Sequence, residues 1–184
     1  MTVARSELKD RTARPADPLR VYAADMPDAP SEPVKINVTW DDLDRLVAEL
    51  AERLAAAPKP DVVLAISRGG LVPAGMLGYR MGWRDMLLAA VVAYDDESGF
   101  RGKADFLQFP SEEQLAGKTV LVIDEVWDSG TTIAAVSKGI RDAGGTPVTA
   151  VLHYKPGRSR VDIVPDHYIV ETNDWILYPF KAGK

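Results

Sequence analysis

"VLVIDEVWDSGTT" (residues 120–132) decides the fold. A run of apolar residues leads straight into two adjacent carboxylates, Asp124 and Glu125. Asp128 follows four residues after the first, and Ser129, Gly130, Thr131 and Thr132 close the stretch. The pattern predicts a buried strand over 119–124, a polar loop, and a helix of about 132–143, the repeating unit of an α/β sheet. Each end of the loop has its own chemistry. Free backbone N–H groups at a helix N-terminus attract phosphate, the hydroxyls add donors, and Gly130 lets the backbone come close. Asp124 and Glu125 repel one another, so a cation or hydroxyl donors between them would relieve both. A ribose diol together with Mg²⁺, a hard ion that takes oxygen ligands, meets that need. The same residues also suit a plain solvated turn in which Asp128 or Ser129 caps the helix.

Neither a G-x-x-x-x-G-K-[ST] loop nor a G-x-G-x-x-G fingerprint is present, so the stretch belongs to neither common nucleotide-binding motif.

Working outward, apolar runs at 61–66 ("DVVLAI"), 86–94 ("MLLAAVVAY") and 146–154 ("TPVTAVLHY") read as strands buried on both faces. Leu43, Leu46, Val47, Leu50 and Leu54 recur at spacings of three and four. Thr39 is the N-cap of that helix, Asp41 and Asp42 lie in its first turn, and it ends near Ala57. A second helix is expected over about 72–81, stopping at Gly82. "VKINV" (34–38) and "HYIVE" (167–171) read as short strands, and "DWILYPF" (174–180) as an aromatic tail. Residues 95–117 are long and aperiodic, the mark of a functional loop, with room for a short hairpin. Residues 1–33, with prolines at 15, 18, 27, 30 and 33, read as a flexible or extended segment. No internal repeat is visible.

The order implies an α/β fold, a mainly parallel twisted sheet flanked by helices. In such sheets ligands bind beyond the carboxyl ends of the strands. "SRGG" (67–70), the opening stretch, and "KPGRSR" (155–160) all fall on that edge. His153 and His167 are too far apart to read as a metal pair and receive no role.

The 184 residues suit one domain, and 46% hydrophobic residues are enough for a real core. A net charge of −5 and a pI near 5.1 argue against nucleic acid as a partner. With no cysteine there is neither disulfide nor thiolate metal site. The longest apolar run, 86–93, is too short to span a membrane, and no secretory signal is evident. A cytoplasmic protein is the expectation.

The opening stretch resembles, over all thirteen positions, the signature of the type I phosphoribosyltransferases. The likeness extends over about residues 34–181 and is closest to the 6-oxopurine branch, the hypoxanthine, guanine and xanthine enzymes. It implies a core of about 40–155, with a small hood lobe from about 34–38 and 156–184. The implied substrates are 5-phosphoribosyl 1-pyrophosphate (PRPP) and a purine base, with Mg²⁺ as cofactor.

By this resemblance Asp124 and Glu125 face the ribose hydroxyls, directly or through Mg²⁺. Asp128 lies near purine N7 as general acid or base, and Ser129, Gly130, Thr131 and Thr132 cradle the 5′-phosphate. "AISRGGLVPAG" (65–75) resembles the pyrophosphate loop, giving roles to Ser67, Arg68 and Gly69. In the family the peptide entering the basic residue is often cis, here Ser67–Arg68. "HYKPGRSR" (153–160) resembles the loop whose lysine donates to the purine 6-oxo group, here Lys155. Either Arg158 or Arg160 could meet pyrophosphate. "NDWILYPF" (173–180) matches a tail in which an aromatic residue stacks on the base: Trp175, with the backbone of Ile176 at the base edge. Tyr94 and Asp95 open the flexible catalytic loop. One position departs from the family: Lys181 stands where an acidic residue is usual, which leaves the choice among the purines open. Family members are often homodimers or homotetramers.

Two other readings remain. One is a regulatory protein of this fold that binds PRPP or nucleotide. The other is an enzyme for a different acceptor, such as orotate or a non-purine base.

Overall fold

The computed structural model describes residues 35–92 and 105–181. The elements in chain order are β1 (Lys35–Asn37), α1 (Trp40–Ala55), β2 (Val62–Ser67), α2 (Leu71–Met81), β3 (Met86–Val92), β4 (Asp105–Gln108), α3 (Glu112–Leu115), β5 (Thr119–Trp127), α4 (Thr131–Asp142), β6 (Thr146–Tyr154), β7 (His167–Glu171) and β8 (Trp175–Leu177).

Helix α1 starts where its sequence provides the missing partners. The Thr39 hydroxyl accepts from the Asp42 N–H at 3.1 Å, and the Asp42 carboxylate accepts from the Thr39 N–H at 3.0 Å. This reciprocal pair satisfies two of the donors that a helix start leaves free. The apolar stripe then buries Leu43, Val47 and Leu50 completely. Each such side chain contributes about 1.5–3 kcal/mol on leaving water.

Six strands form one sheet in the order β4-β3-β2-β5-β6-β7. All neighbours are parallel except β4, which runs antiparallel to β3. Successive residues of β2 face opposite layers. Val63 and Ala65 pack with α1 and α2 residues such as Leu50 and Leu77. Leu64 and Ile66 pack with Ile133, Val136 and Ile140 of α4. Both faces are therefore covered, which is why β2 and β5 read as continuous apolar runs rather than alternating ones.

Strand β5 is longer than its apolar run suggests. It continues through the acidic pair to Trp127, pairing Asp124 with Val151, Val126 with His153 and Trp127 with Tyr154. The extension holds because Trp127 is fully buried against α4 and β6 residues. Asp124 and Glu125 thus stand on a paired strand, not beyond its end.

Within the expected hood segment 156–184, β7 pairs with β6 as an edge of the main sheet. The two-stranded sheet lies elsewhere: β1 pairs in parallel with β8, Ile36 opposite Ile176. Within 95–117 the described part holds β4 and the short helix α3. Among the described residues no helix is long and apolar enough to cross a membrane.

Candidate active site

The chain leaves β2 toward β3 on one side of the sheet and leaves β5 toward β6 on the other. That reversal opens a crevice at the carboxyl ends of β2 and β5, the usual ligand position in sheets of this kind. The turn 67–70 and the loop 128–130 both emerge there.

The 67–70 turn has no spare room. Its Ser67–Arg68 peptide is cis, as the resemblance implies. A Cβ on Gly70 would lie 2.4 Å from the Ile123 carbonyl oxygen and 2.7 Å from that of Ile66. A Cβ on Gly69 would lie 1.8 Å from the Glu125 carboxylate. Arg68 projects from the same turn and is exposed, with Ser67 partly buried beside it.

At the other side, Gly130 caps α4 with φ +76°, and a Cβ there would meet the Trp127 indole nitrogen at 2.3 Å. Only glycine suits both the conformation and the space. The Ser129 and Thr131 hydroxyls are 2.8 Å apart, and Ser129 Oγ also accepts from the Thr131 N–H at 3.4 Å. Asp124, Trp127, Asp128, Ser129, Gly130 and Thr132 line one pocket of ≈ 200 Å³.

The sequence reading treats Asp124 and Glu125 as a matched pair, and the structure gives them different surroundings. Asp124 lines the pocket. Glu125 is buried, its Oε1 accepting from Lys181 Nζ at 2.6 Å. Burial, then the neighbouring Glu125 charge, push the Asp124 carboxyl well above the usual range. Burial works against ionised Glu125 too, but hydrogen bonds from Asp124 and Lys181 outweigh it and hold Glu125 below its ordinary value.

Asp128 is held from the 155–160 loop. Arg158 Nε–H donates to its Oδ1 and Nη2–H to its Oδ2 at 3.5 Å, a two-point grip. Lys155 Nζ lies 3.7 Å from the same Oδ1. Arg158 therefore sits on Asp128, which sequence spacing did not reveal. The loop itself is tied down: the Arg160 N–H donates to Ser129 O at 2.9 Å, and the Lys155 N–H to Trp127 O at 3.0 Å.

Lys155 is almost fully buried, yet its Nζ stands 5.7 Å from the Trp175 ring centroid. Trp175 is 54% exposed, so it is not a core residue. Ile176 beside it is buried, its side chain in the core. Gly157 N–H donates to Asn173 Oδ1 at 2.8 Å and ties the lysine loop to the Trp175 segment. The hydroxyl-rich start of α4, the acidic end of β5, Lys155 and Trp175 thus come together. Tyr94 and Asp95 lie outside the described residues.

Sequence reasoning missed His153 and Tyr178. The buried His153 Nδ1 and the Tyr178 hydroxyl are 2.7 Å apart, and that hydroxyl donates to Glu125 O at 2.7 Å. A lone histidine on a buried strand carried no signal of this partner, which lies 25 residues away.

The donor set fits a hard cation. Asp124 offers carboxylate oxygen in a pocket lined with hydroxyls. Among the described residues no cluster of three or more His, Cys, Asp or Glu could hold a metal by itself. A divalent ion here would take one protein carboxylate and complete its shell with water and substrate oxygens, the usual manner of Mg²⁺.

Comparison with known proteins gives a consistent picture. A phosphoribosyl transferase domain family model matches residues 39–182. A xanthine-guanine phosphoribosyltransferase from Gluconobacter oxydans is 34% identical over 149 residues, covering 79% of this chain and 84% of its own. A purine phosphoribosyltransferase from Pyrococcus horikoshii superposes with a TM-score of 0.70 at 31% identity, over 82% of this chain and 96% of its own. A Neisseria gonorrhoeae protein solved with bound ppGpp gives 0.70 at 30% identity, over 84% and 93%.

Proposed function

The chain belongs to the phosphoribosyltransferase domain family, and on that premise we propose that it transfers the 5-phosphoribosyl group of PRPP to N9 of a 6-oxopurine, releasing pyrophosphate. The observation that carries this reading is the single crevice itself. It joins a hydroxyl-rich helix start, a carboxylate and a general acid–base candidate with a buried lysine beside an exposed tryptophan.

The α4 N-terminus with Ser129, Thr131 and Thr132 holds the 5′-phosphate, where backbone N–H groups and the helix dipole favour an anion. Asp124 meets the ribose hydroxyls, with Glu125 behind it. The 67–70 turn and Arg68 hold the pyrophosphate through backbone N–H groups and a guanidinium fork. Trp175 stacks on the base, the backbone of Ile176 borders its edge, and Lys155 donates to its 6-oxo oxygen. Tyr94 and Asp95 belong to the loop that covers the reaction.

As the N9 lone pair forms the bond to C1′, the C1′–O bond to pyrophosphate breaks and its electron pair leaves with pyrophosphate. The proton on purine N7 passes to Asp128. Charge builds on the leaving group where Arg68 already stands, and such prepared electrostatics lower the barrier most. Mg²⁺ held through Asp124 and substrate oxygens would supply further charge neutralisation of the pyrophosphate.

Incubation with PRPP, Mg²⁺ and each of hypoxanthine, guanine, xanthine, adenine, uracil and orotate tests the reading. It predicts a nucleoside monophosphate and pyrophosphate from a 6-oxopurine. Product from orotate or uracil alone would reject it.

The Neisseria relative with ppGpp bound favours a second reading, guanine-nucleotide binding as regulation. That ligand combines a 6-oxopurine with phosphates, both of which this crevice suits. Competition between ppGpp and PRPP in an equilibrium binding assay separates the two, since regulation requires ppGpp to bind without being turned over.

A further inference from the structure

We propose that Lys181 is a positioning residue: its half-exposed ammonium pairs with buried Glu125, holds it under the 67–70 turn and leaves Asp124 as the acidic residue that meets ligand and divalent metal. The proposal rests on the phosphoribosyl-transfer reading for its consequence, but the arrangement stands on geometry alone.

The contact is built from several sides. Lys181 Nζ is 2.6 Å from Glu125 Oε1. The carboxylate end of Glu125 occupies the space where a Cβ of residue 69 would be, with both oxygens within 2.0 Å of that point. The same carboxylate therefore touches the turn above and the lysine beside it. Tyr178 secures both partners. Its hydroxyl donates to the Glu125 carbonyl at 2.7 Å, its carbonyl accepts from the Lys181 N–H at 2.9 Å, and the Lys181 ammonium lies 5.4 Å from its ring centroid. Lys181 is placed by three contacts, one reaching Glu125 across 56 residues of sequence and two made locally to Tyr178.

The chemical consequence follows from charge. A buried carboxylate needs a partner, because an unpaired charge away from water is costly. With Lys181 present, that partner is internal, and Glu125 has no call on a metal ion. Without it, Glu125 would be a second anion adjoining Asp124 and would compete for the cation. Lys181 thus lowers the negative charge at the acidic end of the crevice, which must also accept a polyanionic substrate.

Titration of the ligand-free protein with Mn²⁺ alone, followed by loss of the free-ion paramagnetic resonance signal, tests this without relying on catalysis. Lys181→Met should raise Mn²⁺ affinity about tenfold, from removal of a unit charge a few ångströms away. Lys181→Arg should stay near wild type. The pair-deleting variant Lys181→Met/Glu125→Gln, which keeps the net charge of the site, should also stay near wild type, whereas Asp124→Asn should lose about tenfold or more. Affinity in the double variant as low as in Asp124→Asn would overturn the proposal, since Glu125 would then be a ligand. So would a Lys181→Met protein with no gain. Should Lys181→Met fail to fold, the double variant, with no buried charge left unpaired, still decides. Failure of the wild type to form nucleotide would reject the phosphoribosyl reading and leave the Mn²⁺ comparison untouched.

Discussion

The Tyr178 hydroxyl donates to the carbonyl oxygen of Glu125 at 2.7 Å, tying the C-terminal segment to the strand that carries the acidic pair. Burial, then the charges of Glu125 and Asp124, raise the Tyr178 pKa well above its ordinary value, so it remains a neutral donor. With its proton committed to the carbonyl, the Tyr178 oxygen must accept from His153 Nδ1–H, which fixes the histidine tautomer.

Burial also makes His153 a pH-sensitive part of stability. Burial, then Lys155, lower its pKa from 6.5 to about 4. As pH falls through about 6.5 the unfolded chain takes up this proton while the folded chain does not. The contribution is therefore complete above about pH 6.5 and declines toward pH 4, by on the order of 3 kcal/mol. Urea unfolding at stepped pH should show this fall reduced in His153→Gln. An unchanged difference between pH 7 and pH 4 would contradict the assignment.

Glycines 70 and 75 are four and nine residues from the end of the apolar run at 61–66 and should behave oppositely. A Cβ at position 70 meets three backbone atoms within 2.9 Å, none of which can turn aside. Gly70→Ala should cost at least about 1–3 kcal/mol and weaken PRPP binding. A Cβ at position 75, inside α2, meets nothing within 4 Å. Gly75→Ala should stabilise by roughly 0.5–1 kcal/mol. Denaturant midpoints for the two variants check both signs.

Asp128 is gripped by Arg158 and approached by Lys155. If it takes the N7 proton, Asp128→Asn should lower kcat by about 10²–10⁴-fold with little change in KM for PRPP. Turnover equal to wild type would remove it from the chemistry.

Lys155→Ala should selectively harm 6-oxopurine use. Loss of a charged hydrogen bond is worth roughly 1.5–3 kcal/mol, or about 10–150-fold in kcat/KM. Equal losses for every base tested would reject the base-reading role.

Much of this was legible in the sequence for local reasons. The strands flanked by helices announce themselves as apolar runs, and Leu43 through Leu54 mark α1 by their spacing. The hydroxyl-rich start of α4 is a contiguous stretch, so a motif reveals it. What was not legible depends on contacts between distant residues. Nothing near Glu125 shows that its carboxylate is committed to Lys181, or that Arg158 rather than solvent meets Asp128. The extension of β5 to Trp127 follows from burial of one indole against α4 and β6, which an apolar-run reading interrupted by two carboxylates cannot see. The position of Lys181 was visible as a departure, but its contact with Glu125, 56 residues away, was not.

The central claim is acceptor choice by a buried lysine beside an exposed tryptophan. Its most direct test is kcat/KM measured with saturating PRPP and Mg²⁺ for hypoxanthine, guanine and xanthine against adenine. The account predicts at least one 6-oxopurine favoured over adenine by about 10-fold or more, from the Lys155 hydrogen bond alone. Adenine used as well as every 6-oxopurine, or no nucleotide from any of the four, would contradict it.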